Sequence, residues 1–258
     1  KNPFKEQVRD LQNKVGIYYI FNAADEIIYI GSSKDLQNSI NRHFVADNKV
    51  ALALQNEAVR LEIEDLGNEA IAEILFHKTV ELHRPIYNAV KKKKLLNYGI
   101  FPEPRKSHSV EFVKVYAVRH KLPPLYFDSP KSLYPWLQRL MMEHKLDPAT
   151  FLLDKDRGYY EKNIQPLQWK PEQQSVALSD MRKAMLPEEA ILVGPGRKGQ
   201  EKCAIIVEAG RILGYTYFYL STDRLNRAQL KKRMVDLDSD AYTIGVIGHF
   251  YRKGYLKR

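Results

Sequence analysis

Two tripeptides, Gly16-Ile17-Tyr18 and Tyr29-Ile30-Gly31, constrain the fold of this chain more than any other feature. Each tripeptide lies in a short apolar run, VGIYYIFN or EIIYIG, that is rich in isoleucine and tyrosine. β-Branched and aromatic residues favour strands, and two such runs around a short turn are typical of a β-hairpin. The sequence therefore predicts two paired strands, with one tripeptide on each.

Patterns typical of helices surround this hairpin. Leu36, Ile40 and Phe44 recur at every fourth position, after a serine or aspartate that can cap a helix. Pro85 ends the last pattern, because proline cannot continue the hydrogen-bond ladder of a helix. The predicted helices cover residues 1–14, 33–44, 49–60 and 68–83, and a strand-like alternation covers residues 61–67.

A change in composition marks a boundary in the middle of the chain. A run of four lysines leads into a segment that contains Pro102 and Pro104, and basic, proline-rich stretches are typical of linkers. We therefore expect an N-terminal domain over residues 1–92, a linker over 93–106, and a C-terminal α+β domain of unassigned role over 107–258. The fold class of the chain is α+β, and the first domain is expected to have a small mixed or antiparallel sheet flanked by helices.

The C-terminal half mixes strands and helices in the same way. A loop at 194–199, GPGRKG, has glycines and basic residues, but it lacks the spacing of a phosphate-binding loop and precedes a strand, so a turn is predicted. Strands are predicted at 110–119, 188–194 and on both sides of a turn at Ala209-Gly210, and helices at 129–144, 175–186, 227–235 and 240–251.

Composition limits the function classes. Every apolar run in the sequence is much shorter than the about 18 residues that a membrane-spanning helix needs, so no membrane partner is predicted. Cys203 is the single cysteine, which excludes an internal disulfide framework or a cysteine-built zinc site and fits a reducing cytosol. The 41 lysines and arginines exceed the 31 acidic residues and give a net charge of +10, which favours a polyanionic partner such as nucleic acid.

The two tripeptides belong to a longer series of motifs. A predicted helix ending in Arg42-His43-Phe44 follows them, and then come Gly67-Asn68-Glu69 and Arg84-Pro85-Ile86-Tyr87-Asn88. In this order and spacing, residues 15–90 resemble the GIY-YIG endonuclease superfamily, and in particular the N-terminal domain of that type found in the bacterial ABC excinuclease. The resemblance implies a nuclease-like fold, a DNA partner and a role in DNA repair or processing.

A looser similarity covers the rest of the chain. Residues 96–101, the region around 196–218 and the closing helix at 240–251 resemble the C-terminal half of bacterial epsilon-like exonucleases, in which an exonuclease domain precedes a GIY-YIG domain. This resemblance implies a bacterial cytoplasmic protein, of which the present chain, which begins with Lys1, is expected to be the C-terminal part. An exonuclease domain in the same polypeptide is then a further expected partner.

The resemblance also implies a catalytic site, and the chain departs from it. Tyr18 and Tyr29 match the two family tyrosines, which position and activate the attacking water. Ser39 stands at the position of the family arginine, Phe76 at that of the metal-binding glutamate, and Ser32 at that of a lysine. Serine carries no charge and phenylalanine cannot bind a metal ion, so the preferred prediction is a catalytically degenerate, nucleic-acid-binding module without a metal or other cofactor.

Two alternatives stay open. Arg42 and Glu73 lie three residues, about one helical turn, from Ser39 and Phe76. If they take over the roles of the missing arginine and glutamate, the chain is an active endonuclease that depends on Mg²⁺ or Mn²⁺. A third possibility is a protein-interaction scaffold, in which the positive charge serves solubility.

Basic residues near the motifs are candidates for contacts with the phosphate backbone, which contribute affinity without sequence preference. Part of this set follows the last motif directly, although a solvated linker would have the same composition. The candidates are Lys34, Arg42, His43, Lys91, Lys92, Lys93 and Lys94.

Overall fold

A computed structural model describes residues 2–88, 96, 98–102, 110–114, 125–128, 151–153, 186–220 and 226–258. The four candidate lysines Lys91–Lys94 lie outside the described residues. So do the predicted helix at 129–144 and all but the last residue of the predicted helix at 175–186.

The N-terminal residues form an antiparallel sheet with helices, which confirms the α+β class. The sheet has the order β2-β1-β3, so β1 is central and pairs with both of its neighbours. The elements are β1 at Gly16–Phe21, β2 at Ile27–Ser33, α1 at Leu36–His43, α2 at Lys49–Glu57, β3 at Arg60–Asp65 and α3 at Glu69–His83.

Polar residues set the starts of these helices. The side chains of Asp35, Asn48 and Asn68 accept hydrogen bonds from backbone N–H groups in the first turns of α1, α2 and α3, which satisfies donors that have no partner within the helix. α3 ends at Arg84, which has a left-handed backbone with φ of 46° and precedes Pro85.

Within the described residues beyond position 88, strands and two further helices follow. One four-stranded sheet has the order β6-β4-β5-β7, with a parallel pair β5–β7, and a second has the order β11-β10-β9-β8. β4 lies within the segment predicted as a linker. The elements are β4 at Tyr98–Pro102, β5 at Val110–Lys114, β6 at Leu125–Phe127, β7 at Phe151–Leu153, β8 at Ala190–Pro195, β9 at Glu201–Glu208, β10 at Arg211–Tyr219, α4 at Arg227–Lys232, β11 at Val235–Asp236 and α5 at Ala241–Arg252.

The predicted turns on both sides of β9 are present. Residues 196–200 connect β8 to β9, and Ala209 and Gly210, with φ of 48° and 69°, connect β9 to β10. Two successive residues with positive φ suit a tight hairpin turn.

One helix prediction is wrong and two extend too far, one of them at 49–60, where α2 ends at Glu57 and Arg60 lies in β3. Residues 2–14 form successive turns instead of a helix, because the backbone carbonyls of Val8, Leu11 and Lys14 accept hydrogen bonds from α1, at Gln37 and Leu36. The predicted helix at 227–235 ends at Lys232, and its last residue, the β-branched Val235, lies in β11.

Packing divides the chain into two compact units. The first comprises Lys1–Lys93, Val193–Ile205 and Tyr215–Val235, and the second comprises Lys94–Leu192, Ile206–Gly214 and Asp236–Arg258. In the first unit, one face of the β2-β1-β3 sheet packs with α1, α2 and the N-terminal turns around Tyr18, Ile20 and Tyr29. Among the helices of the described residues, none is long and apolar enough to cross a membrane.

Candidate functional site

The two tripeptides lie on neighbouring, hydrogen-bonded strands of the sheet. Tyr18 of β1 is directly opposite Gly31 of β2 in the antiparallel register. A Cβ atom on Gly31 would lie 2.1 Å from Cζ of Tyr18, far inside van der Waals contact. The glycine of the second tripeptide therefore makes room for the tyrosine ring of the first.

Helix α1 supplies the polar partners of this tyrosine. The Tyr18 hydroxyl lies 2.8 Å from Nε2 of His43 and 3.1 Å from Oγ of Ser39. Ser39 and His43 are four residues apart, so both project from the same face of α1. Because Tyr18 is only 1% exposed, its hydroxyl is held in these two contacts within the protein.

Tyr29 completes the cluster. Its ring packs edge-on against the His43 ring with 4.7 Å between centroids, and its centroid is 6.1 Å from that of Tyr18. Tyr29 is 3% exposed. We call Tyr18, Tyr29, Ser39 and His43 the tyrosine–histidine cluster.

Burial raises the pKa of both phenols. Desolvation raises the pKa of Tyr18 well above its ordinary value, and the neighbouring Tyr29 adds to this effect, while the bond to Ser39 and the charge of Arg42 oppose it. Burial likewise raises the pKa of Tyr29 to about 12. Both phenols therefore keep their protons to a higher pH than an exposed tyrosine does.

Asn88 holds the second tripeptide in place from the edge of the sheet. Its Oδ1 accepts a hydrogen bond of 2.7 Å from the backbone N–H of Ile30, and its Nδ2 donates one of 2.7 Å to the carbonyl of the same residue. The N–H of Tyr87 also donates to the carbonyl of Ile28 at 3.1 Å. Asn88 was absent from the predicted site residues, although the Arg-Pro-Ile-Tyr-Asn motif contained the signal that marks it.

Comparison with known proteins matches the part of the chain that contains this cluster. Residues 14–89 match the family model described as the UvrC-like GIY-YIG domain. The resemblance to the GIY-YIG superfamily is confirmed. The match covers less than a third of the 258 residues.

Two curated proteins resemble part of the chain. UvrABC system protein C of Fervidobacterium nodosum is 37% identical over 82 residues, which are 32% of this chain and 14% of that protein. The protein of the same name from Mycoplasma capricolum is 29% identical over 140 residues, 53% of this chain and 24% of that protein. The chain thus spans no more than a quarter of the length of either relative.

Among solved structures, the chain is similar to the GIY-YIG N-terminal endonuclease domain of UvrC from Thermotoga maritima, which is bound to its catalytic divalent cation, magnesium. The identity is 27% and the TM-score 0.32, and the match covers 34% of this chain and 99% of that chain.

The residues that match the GIY-YIG model do not fit a metal ion at the position that the resemblance predicts. There the resemblance predicts a metal-binding glutamate, and this chain has Phe76, within α3, whose side chain has no oxygen. Glu73, one turn earlier, is half-buried. Within the described ranges, no group of three or more His, Cys, Asp or Glu side chains could hold a metal ion.

The predicted phosphate-binding residues of the domain differ in their surroundings. Arg42 is exposed in the last turn of α1, next to the half-buried His43. Lys34 is exposed, but its Nζ forms an ion pair of 2.5 Å with Oε2 of Glu69, the first residue of α3. The structure thus brings Arg42 and His43 together and places Lys34 in an ion pair at the start of α3.

Proposed function

We propose that the GIY-YIG domain of this chain binds nucleic acid without cleaving it. The observation that carries this proposal is the tyrosine–histidine cluster. Tyr18 and Tyr29 are 1% and 3% exposed, and the Tyr18 hydroxyl contacts Ser39 and His43, which favours a role in packing over one in catalysis.

The replacement of the family arginine supports the loss of catalysis. Phosphodiester cleavage places negative charge on the phosphoryl oxygens, and cations positioned beforehand are needed to stabilise it. Ser39 carries no charge, and its hydroxyl contacts Tyr18 instead. With Phe76 in place of the glutamate, both cationic contributions of the family site, the arginine and the metal, lack their residues.

Binding to nucleic acid is favoured by the charge of the chain. The net charge of +10 favours polyanions in general, and Arg42 presents a guanidinium on the surface beside the cluster. We propose that Arg42, His43, Lys34 and Lys91–Lys94 contact phosphates, and that Lys34 exchanges Glu69 for a phosphate when it does so.

The resemblance to UvrABC system protein C supports two further parts of the proposal. We propose that the nucleic acid is DNA and that the chain is part of a DNA repair or processing protein of the bacterial cytoplasm. The looser similarity to bacterial epsilon-like exonucleases supports one more part, an exonuclease domain as a partner in the same polypeptide. The chain spans no more than a quarter of the length of either relative, so the activity of the whole protein belongs to the proposal.

The decisive experiment combines binding and cleavage. Fluorescence anisotropy with labelled duplex and branched DNA, from low to high salt, should give affinities that fall linearly on a log–log scale. Supercoiled and branched DNA with Mg²⁺ or Mn²⁺ should remain intact over the same range of protein concentrations.

Variants separate this function from its alternatives. Cleavage by the unchanged chain that is lost in both Tyr29→Phe and Glu73→Ala would identify an active endonuclease that uses Glu73 and Arg42. Absence of any salt-dependent binding would favour the protein-interaction scaffold instead. Retained binding without cleavage would support the degenerate module.

A further inference from the structure

Residues far from the GIY-YIG domain in sequence pack with it in the same compact unit. The segments Val193–Ile205 and Tyr215–Val235 belong to the first unit, together with Lys1–Lys93. The first of these segments contains the turn at residues 196–200, between β8 and β9. We call these five residues the 196–200 turn.

Hydrogen bonds attach this region to the loop between β3 and α3. Nδ2 of Asn68 donates to the carbonyl of Pro195 at 3.2 Å, and the Tyr217 hydroxyl donates to the carbonyl of Leu66 at 2.7 Å. Nζ of Lys14 donates to the carbonyl of Arg197 at 2.8 Å. The bond from Lys14 thus holds the turn itself, and the other two hold Pro195 and Tyr217 of the strands β8 and β10.

Close packing adds to these bonds. Gly67 has a positive φ of 60°, and a Cβ atom there would lie 2.1 Å from the carbonyl oxygen of Gly196. Two backbones can approach this closely only because neither has a side chain at the contact. The 196–200 turn therefore contacts the GIY-YIG domain through close backbone packing as well as through hydrogen bonding.

The turn is also rigid in itself. The Glu201 side chain, only 5% exposed, accepts bonds from the backbone N–H, Nε and Nη2 of Arg197 at 2.8, 3.0 and 2.7 Å. The guanidinium carbon of Arg197 lies 4.1 Å from the centroid of the Tyr217 ring. The Glu201 N–H donates to the carbonyl of Lys198 at 2.8 Å, which closes the turn.

Three cations near the turn are paired with carboxylates. Arg197 forms an ion pair with Glu201, Lys14 with Asp65 and Lys34 with Glu69. Lys198 is exposed in the turn and makes no ion pair with any residue of the described ranges. Asn68, which bonds to Pro195 just before the turn, directly precedes Glu69, the partner of Lys34. The turn thus presents an exposed positive charge, and the residue before it is bonded to the sequence neighbour of Glu69.

We propose that the 196–200 turn extends the nucleic-acid surface of the GIY-YIG domain, with Lys198 binding a backbone phosphate. This inference rests on the proposed function and assigns a role to a segment outside the family match. Because these bonds already hold the backbone of the turn in place, little further ordering of the backbone is required when Lys198 binds a phosphate.

The test compares the salt dependence of DNA binding by the whole chain and its Lys198→Ala variant. Loss of one phosphate contact should reduce the slope of log K against log salt by about 0.9 and weaken binding to all sequences alike. Lys198→Arg keeps the charge and should keep the slope. Gln200→Ala, a neutral change in the same turn, and Lys257→Ala, an exposed charge in the second unit, should both leave it unchanged.

The outcomes distinguish this inference from the proposed function. Salt-dependent binding with the same slope in the unchanged chain and Lys198→Ala overturns the inference and leaves the proposed function standing. The same drop in slope for Lys198→Ala and Lys257→Ala also overturns it, since the effect would then be one of net charge. Absence of salt-dependent binding by the unchanged chain overturns both.

Discussion

The Tyr18 hydroxyl lies 2.8 Å from Nε2 of His43, inside the protein and beside a second hydroxyl, that of Ser39. A phenol so placed has its hydrogen bonds satisfied by side chains of its own domain. In this chain, the contact therefore stabilises the packing of α1 on the sheet.

The first prediction concerns the energy of this contact. Tyr18→Phe removes the hydroxyl but keeps the ring, and it removes the contacts of that hydroxyl with Ser39 and His43. We expect a loss of about 1–3 kcal/mol in the free energy of unfolding of the first unit, measured by amide hydrogen exchange in β1 and α1. Tyr251→Phe, in α5, is the matched control and should leave that exchange unchanged. Equal exchange in Tyr18→Phe and the unchanged chain would show that the hydroxyl contributes nothing.

The second prediction concerns Gly31. Because a Cβ atom there would overlap the Tyr18 ring, Gly31→Ala should destabilise the first unit by about 1–3 kcal/mol. In the Tyr18→Ala background the same change should cost much less, since the ring is gone, and a double-mutant cycle measures the difference. Gly199→Ala meets no atom within 4 Å but has a φ of 44°, so it should cost about 1 kcal/mol through backbone strain alone. Additive losses for Gly31 and Tyr18 would refute the steric account.

The sequence was most informative where local patterns and motifs agreed. The two tripeptides predicted the hairpin of β1 and β2, and the spacing of Leu36, Ile40 and Phe44 predicted α1, because both periodicities depend on residues close together in the chain. The motifs also identified the GIY-YIG resemblance. What they could not indicate is that Ser39 and His43 both bond to Tyr18, since this requires the position of a helix on a sheet.

Long-range contacts explain the remaining differences. Residues 1–14 have a helical composition, but α1 takes several of their carbonyls as acceptors. The attachment of residues 193–205 to the domain depends on Asn68, Tyr217 and Lys14. Each of these residues bonds to a partner more than 100 residues away in sequence, and a local sequence pattern cannot predict such a contact.

The third prediction concerns Asn88. Both of its amide atoms bond to the backbone of Ile30, so Asn88→Ala should release the edge of β2 and cost about 1–3 kcal/mol. Amide exchange at Ile30 should accelerate more than exchange in the central strand β1. Asn56→Ala, at an exposed position of α2, is the matched control and should change neither. If exchange rises equally throughout the first unit, Asn88 acts on global stability and does not specifically hold the edge strand.

The fourth prediction concerns alkaline pH. The pKa of Tyr29 is raised to about 12 in the folded protein, whereas an unfolded tyrosine ionises near 10. Above pH 10 the unfolded chain loses a proton that the folded chain keeps, so the stabilising contribution is complete below pH 10 and is lost as the pH rises towards 12. Each pKa unit corresponds to about 1.4 kcal/mol. Thermal unfolding between pH 9 and 12 should therefore show a steeper fall of Tm in the unchanged chain than in Tyr29→Phe, which lacks the ionising group. Parallel curves for the two proteins would mean that the Tyr29 phenol reaches solvent and ionises at its ordinary pKa. The burial of Tyr29, on which the proposal of a non-catalytic domain depends, would then be refuted.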